Sequence, residues 1–137
     1  MKYFGTDGIR VKMDSSLNSS LFIKIGEYFS SLKGKRKILL ACDTRTNCPY
    51  LKSLLLNGLL KKCDVVDLGV ASTPCLSYLM SYLDFDFGIM VSASHNPPIY
   101  NGIKILDNKG LKININRQKA IEKYIDINID FIFVCYE

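Results

Sequence analysis

The chain has 137 residues, enough for one domain with a single core and too short for two ordinary ones. Hydrophobic residues make up 48% and charged residues 23%, a globular balance that excludes a disordered chain; no apolar run approaches the roughly 18 residues of a membrane span, and the opening MKYFGTDGIR lacks the apolar stretch of a secretory signal. The net charge of +5 is concentrated in KGKRK (33–37) and Lys61-Lys62, and suits an anionic partner, either nucleic acid or a small phosphorylated molecule.

Apolar residues at Leu17, Leu21, Phe22, Ile25, Phe29 and Leu32 predict an amphipathic helix, with Ser15, Ser16 and Asn18 as candidate caps and Gly34 as its stop. KGKRK reads as a solvated turn leading into a buried strand, KILLACD (37–43). No aromatic residues interleave with these basic ones, so nucleic acid is not expected as a partner. CPYLKSLLLNGLLKK (48–62) carries Pro49 where a helix start tolerates proline, ahead of a leucine-rich body. DVVDLGV (64–70) predicts a second strand. Thr73-Pro74 predicts a capped helix to about Tyr82, and FDFGIMVSA (85–93) a third strand. Asn101-Gly102 reads as a turn before a short strand, IKIL, and a last helix is expected over about 117–124.

The cysteines are Cys42, Cys48, Cys63, Cys75 and Cys135: odd in number, scattered, with no Cys-x-x-Cys pair. They predict reduced thiols and a cytoplasmic protein, not a disulfide framework or a zinc site. Helices alternating with buried strands predict an α/β fold with helices on both sheet faces. Ligands then bind beyond the C-terminal strand ends. That rule selects the loops after Ala41, Gly69 and Ala93, carrying CDTRTN, VASTP and SHNPP.

In the third loop Ser94 follows the strand and Ser92 still belongs to it, which makes Ser94 the candidate nucleophile or phosphate carrier. Asn96 precedes Pro97, which disfavours helical dihedrals, and Pro97-Pro98 stiffens the exit. A hydrolase elbow, a phosphate-binding P-loop and a dinucleotide fingerprint are all missing from the sequence.

SASHNPPIYNGIK resembles the active-site serine loop of the α-D-phosphohexomutases. FGTDGIR, DTR (43–45) and DLGVASTP (67–74) resemble three further signatures of that family, in the same order. The FGTDGIR form is closest to the bacterial phosphoglucosamine mutases; the phosphomannomutase and phosphoglucomutase branches are the alternative. The resemblance implies a three-layer α/β/α sandwich around a mixed, mostly parallel sheet of about four main strands. It implies that Ser94 carries a phosphoryl group and donates it to a phosphorylated hexose or hexosamine. The implied reaction interconverts glucosamine 6-phosphate and glucosamine 1-phosphate through a bisphosphate. Arg10, His95 and Lys104 are the implied catalytic partners. Thr6, Asp7, Asn96 and Asn101 are the implied substrate or phosphate ligands. Mg2+ is the implied cofactor, met in this chain only through the phosphate on Ser94.

The departures are also informative. Val11 stands where the family has glycine, and the second motif lacks its first arginine and its small residues. Asp84-Phe85-Asp86 lacks the glycine, third aspartate and arginine of the family's metal loop, and reads as the start of a strand. Residues 1–116 are expected to be the family's first domain, and 117–137 a helix and divergent tail at a truncation end. FIFV (131–134) is expected as an extra strand or as out-of-frame residue. Metal-binding, sugar-binding and phosphate-binding domains are expected elsewhere, in a separately encoded remainder if the enzyme is split. A non-catalytic relic or interaction module of the same fold is the competing expectation.

Overall fold

The computed structural model describes residues 1–13, 16–93 and 96–136, with side chains at 16–18 and 129–136 outside the description. The elements run β1 (Phe4–Gly5), β2 (Gly8–Lys12), α1 (Ser16–Ser31), β3 (Lys37–Cys42), α2 (Cys48–Leu59), β4 (Asp64–Val70), α3 (Thr73–Tyr82), β5 (Phe87–Val91), β6 (Tyr100–Leu106) and α4 (Ile115–Tyr136). Of the candidate caps for α1, Ser15 lies outside the described residues, and Ser16 and Asn18 fall inside the helix. Ser72, not Thr73, caps α3: its side-chain oxygen accepts from the Cys75 amide, with Pro74 in the first turn behind it.

The six strands form one mixed sheet in the order β1-β2-β6-β5-β3-β4. The sheet is larger and less parallel than the four-strand expectation. β3 pairs in parallel with β4 and β5, while β1–β2, β2–β6 and β6–β5 are antiparallel. The extra strands come from FGTDGIR, which folds into a hairpin through Thr6-Asp7 and adds to β6. Asn101-Gly102 is not a turn but the interior of β6. Glycine is required there because a Cβ would collide with the Ile9 carbonyl across the ladder.

β3 and β5 are buried on both faces, which is why they read as continuous apolar runs. The larger core lies under α1, α2 and α4, where Phe22, Phe29, Leu51, Leu55, Ile121 and Ile125 meet Ile38, Leu40, Ile89 and Ile103. Each such side chain contributes about 1.5–3 kcal/mol by leaving water. The smaller core, on the opposite face, lies under α3: Leu76 and Met80 against Leu39, Ala41, Met90 and Leu106. α1 and α2 cross at Gly26 and Gly58, close enough that a Cβ on either would strike the other helix's backbone.

α4 begins at Ile115 and takes residues 131–136 into a helix, not the strand that FIFV suggested. It belongs to the same core. Glu122 accepts hydrogen bonds from the amides of Lys2 (3.1 Å), Tyr3 (2.8 Å) and Phe4 (2.8 Å), and Asp126 pairs with Lys2. The opening strand is thereby tied to the last helix. Among the described residues no helix is long and apolar enough to cross a membrane.

Candidate active site

The C-terminal ends of β3 and β5 lie side by side, and Asp43 leaves the first of them with its amide on the Val91 carbonyl. Its carboxylate is the hub of the region. Oδ2 accepts from the Ser92 hydroxyl at 2.7 Å; Oδ1 accepts from the Cys48 thiol at 2.9 Å and from the Arg45 amide at 3.0 Å. Burial alone would push the Asp43 carboxyl up, but these hydrogen bonds and the Arg45 charge outweigh it and hold the group below its ordinary 3.8. Cys48 responds in the opposite direction: burial, and donation to a carboxylate, push its thiol up to about 12.

Ser92 is buried, with its amide on the Gly102 carbonyl and its hydroxyl on Asp43. Its own carbonyl accepts from Arg10 Nη1 at 2.9 Å. Arg10 therefore reaches across from β2 to the base of the serine loop. Burial lowers the Arg10 guanidinium from its ordinary value, and Asp7 and Asp43 oppose that shift; the group stays charged.

Lys104 lies on the same sheet face as Arg10. Alternation along β6 sends Ile103 and Ile105 into the larger core and Lys104 and Leu106 to the α3 side. On β2, Arg10 pairs with Gly102, and Gly8 (φ 98°) lies against the Lys104 Cα. A glycine opposite each cation leaves a low floor between them. Thr6, Asp7, Lys104, Thr73 and Lys112 line a cleft of about 200 Å³ beside this floor. Lys112 Nζ donates to the Thr6 carbonyl at 2.5 Å, holding the β1–β2 turn against it.

Asn96 lines a separate recess of about 360 Å³ with Asp43, Thr44, Arg45, Thr46 and Pro98. Asn101 is not available to a ligand. It is fully buried, its amide donating to Asn47 Oδ1 (2.6 Å) and Cys48 Sγ (3.2 Å) and its oxygen accepting from the Gly102 amide. It supports the loop from below. Ser94 and His95 lie outside the described residues, and with them the one expected contact to Mg2+. The supporting residues Asp43, Arg45 and Lys112 were not among the expected site residues, although DTR had marked the first two.

The described residues do not fit a magnesium cage: among them no three His, Cys, Asp or Glu side chains converge. Asp86, just before β5, is spent elsewhere, with Oδ2 accepting from the Lys37 amide at the start of β3.

Comparison with known proteins agrees with this fold. The family model for phosphoglucomutase/phosphomannomutase, alpha/beta/alpha domain I, matches residues 1–130. The phosphoglucosamine mutase of Dictyoglomus thermophilum is 45% identical over 130 residues, covering 90% of this chain and 28% of the relative. That of Bacillus pumilus is 40% identical over 134 residues, covering 94% and 30%. A crystal structure of a phosphoglucomutase/phosphomannomutase family protein from Burkholderia thailandensis superposes with a TM-score of 0.77 at 30% identity, covering 91% of this chain and 30% of that one. The chain thus spans under a third of the length of the relatives it matches. A signature-bearing loop braced by Arg10 and Asp43, on a sheet that superposes on a solved relative, leads to one conclusion: the chain belongs to the phosphoglucomutase/phosphomannomutase family and corresponds to its domain I.

Proposed function

We propose that this chain is the serine-bearing domain of a phosphoglucosamine mutase. Ser94 carries a phosphoryl group. Its Oγ–P bond breaks as a hydroxyl of glucosamine phosphate forms a new O–P bond; the proton of that hydroxyl ends on the freed Ser94 Oγ, giving the 1,6-bisphosphate and unphosphorylated serine. The reverse transfer from the other position regenerates phosphoserine and releases the isomer. Arg10 and Lys104 supply the positive charge that lets one anion approach another. Lys104 offsets charge on the transferring group, and Thr6 and Asp7 border the space for the substrate. Full turnover is proposed for this domain assembled with the remainder that its relatives possess, and no step is derived through magnesium.

The observation that carries this reading is the Arg10 bond to the Ser92 carbonyl, with Lys104 on the same sheet face. It puts fixed cationic charge beside a loop whose Ser92 hydroxyl is already committed to Asp43. The test is intact-mass and peptide mapping of protein treated with a hexosamine bisphosphate in the assembled enzyme. Phosphate that is lost in Ser94→Ala and kept in Ser92→Ala supports the reading. Phosphate on Ser92, or none in an active assembly, overturns it.

A further inference from the structure

We infer that Arg45, held by Asp43, is a positioning residue that fixes residues 96–100, the segment that follows Ser94 and His95 in the chain; its relevance to phosphoryl transfer rests on the function proposed above. The loop has a donor deficit written into its sequence. Asn96-Pro97-Pro98 contributes three carbonyls but only one amide N–H. The Asn96 amide is spent on the Ala93 carbonyl. These three residues therefore bring fewer donors than acceptors.

Arg45 supplies donors from outside to two of these carbonyls and to that of Tyr100. Nη2 donates to the Asn96 carbonyl at 2.6 Å, and Nη1 donates to the carbonyls of Pro97 (2.9 Å) and Tyr100 (3.0 Å). Pro97 is the central acceptor, since its oxygen also receives the Tyr100 amide at 2.9 Å. One planar guanidinium thus gathers three carbonyl dipoles that would otherwise repel one another. The side chain doing this is mostly buried, at 13% exposure.

The guanidinium is itself aimed. Arg45 Nε faces Asp43 Oδ2 at 3.5 Å, and Oδ1 of the same carboxylate holds the Arg45 amide. Asp43 is in turn fixed by Ser92 and Cys48, one on each side. A single carboxylate therefore joins residue 92, before the serine, to the clamp on residues 96–100, after it. Both flanks of Ser94 are referenced to one point at the end of β3. Lysine cannot replace this arrangement, because an ammonium lacks the planar fork and would reach these carbonyls one at a time.

The experiment compares Arg45→Ala and Arg45→Lys with wild type in the full chain, by amide hydrogen exchange. Expected is at least about tenfold faster exchange at the Asn96 and Tyr100 amides in both variants, with β3 amides unchanged. Added guanidinium ion should restore slow exchange in Arg45→Ala. In the assembled enzyme kcat should fall about tenfold or more, with KM within about twofold, since positioning acts on the transition state. Unchanged exchange in either variant overturns the inference, as does a loss of protection spread evenly over β3. Faster loop exchange in protein whose Ser94 never takes phosphate keeps the clamp and sinks the phosphate-carrier reading, so the two fail separately.

Discussion

Gly102→Ala is the sharpest test of how the sheet holds the site. A Cβ at this position would lie far inside the 3.4 Å at which ordinary contact begins to the Ile9 carbonyl oxygen, with Ile9 C and Ser92 O both at 3.1 Å. These are backbone atoms in ladders on either side, so no side chain can swing away. β2 must separate from β6, or β6 from the Ser92 segment. Overpacking of this kind costs about 1–3 kcal/mol. The Gly102 carbonyl also accepts the Ser92 amide, and its amide donates to Asn101; weakening these adds about 1–2 kcal/mol. The expected loss is about 2–5 kcal/mol, a large fraction of the roughly 5–15 kcal/mol of a typical domain. With a urea m-value of about 2 kcal/mol/M, the midpoint should fall by about 1–2.5 M. Gly34→Ala is the control: its φ of 82° makes alanine strained, but nothing lies within 4 Å, so it should cost only about 1 kcal/mol. Urea unfolding followed by circular dichroism reads both. A Gly102→Ala protein as stable as Gly34→Ala would refute the steric argument.

Two further predictions concern charge. Glu122→Ala strips three backbone amides of their acceptor and should cost about 2–4 kcal/mol in urea unfolding; Glu122→Gln should cost less, because Oε1 alone serves both Tyr3 and Phe4. The depressed Asp43 carboxyl favours its ionised form in the fold, so its contribution is complete above about pH 4 and is lost as pH falls through the lower folded value. Asn96 and Tyr100 amide protection, corrected for intrinsic exchange, should therefore drop below that pH in wild type. In Asp43→Asn the protection should be lower throughout and flat over the same range.

Much of this architecture was legible in the residues. β4 and α3 fall where the apolar run and the Thr73-Pro74 start place them, because each satisfies its own local rules. β1 and β2 were not legible. They are short, separated only by Thr6-Asp7, and owe their existence to a partner strand about 90 residues downstream. FIFV misled for a related reason: its β-branched composition favours a strand, but the segment continues a helix already begun at Ile115. Asn101-Gly102 has the composition of a turn, yet each residue answers to burial, one to Cys48 and Asn47, the other to the Ile9 carbonyl. At the site, motif resemblance selected the residues expected to meet substrate. It did not select Arg45 as a support, because the role depends on three carbonyls that only folding brings together.

The tie between Glu122 and the first residues sets a schedule for synthesis. Lys2 waits for a partner 120 positions later, and at about 5–20 residues per second that is about 6–24 s of translation. For most of that interval the strand carrying Arg10 lacks β6, its ladder partner, and the residues before it lack α4 until the end. The parallel centre of the sheet, β3 with β4 and then β5, can assemble first from nearer neighbours. This early segment is thus among the last to be installed, and the cationic side of the site is completed only once β6 has been made.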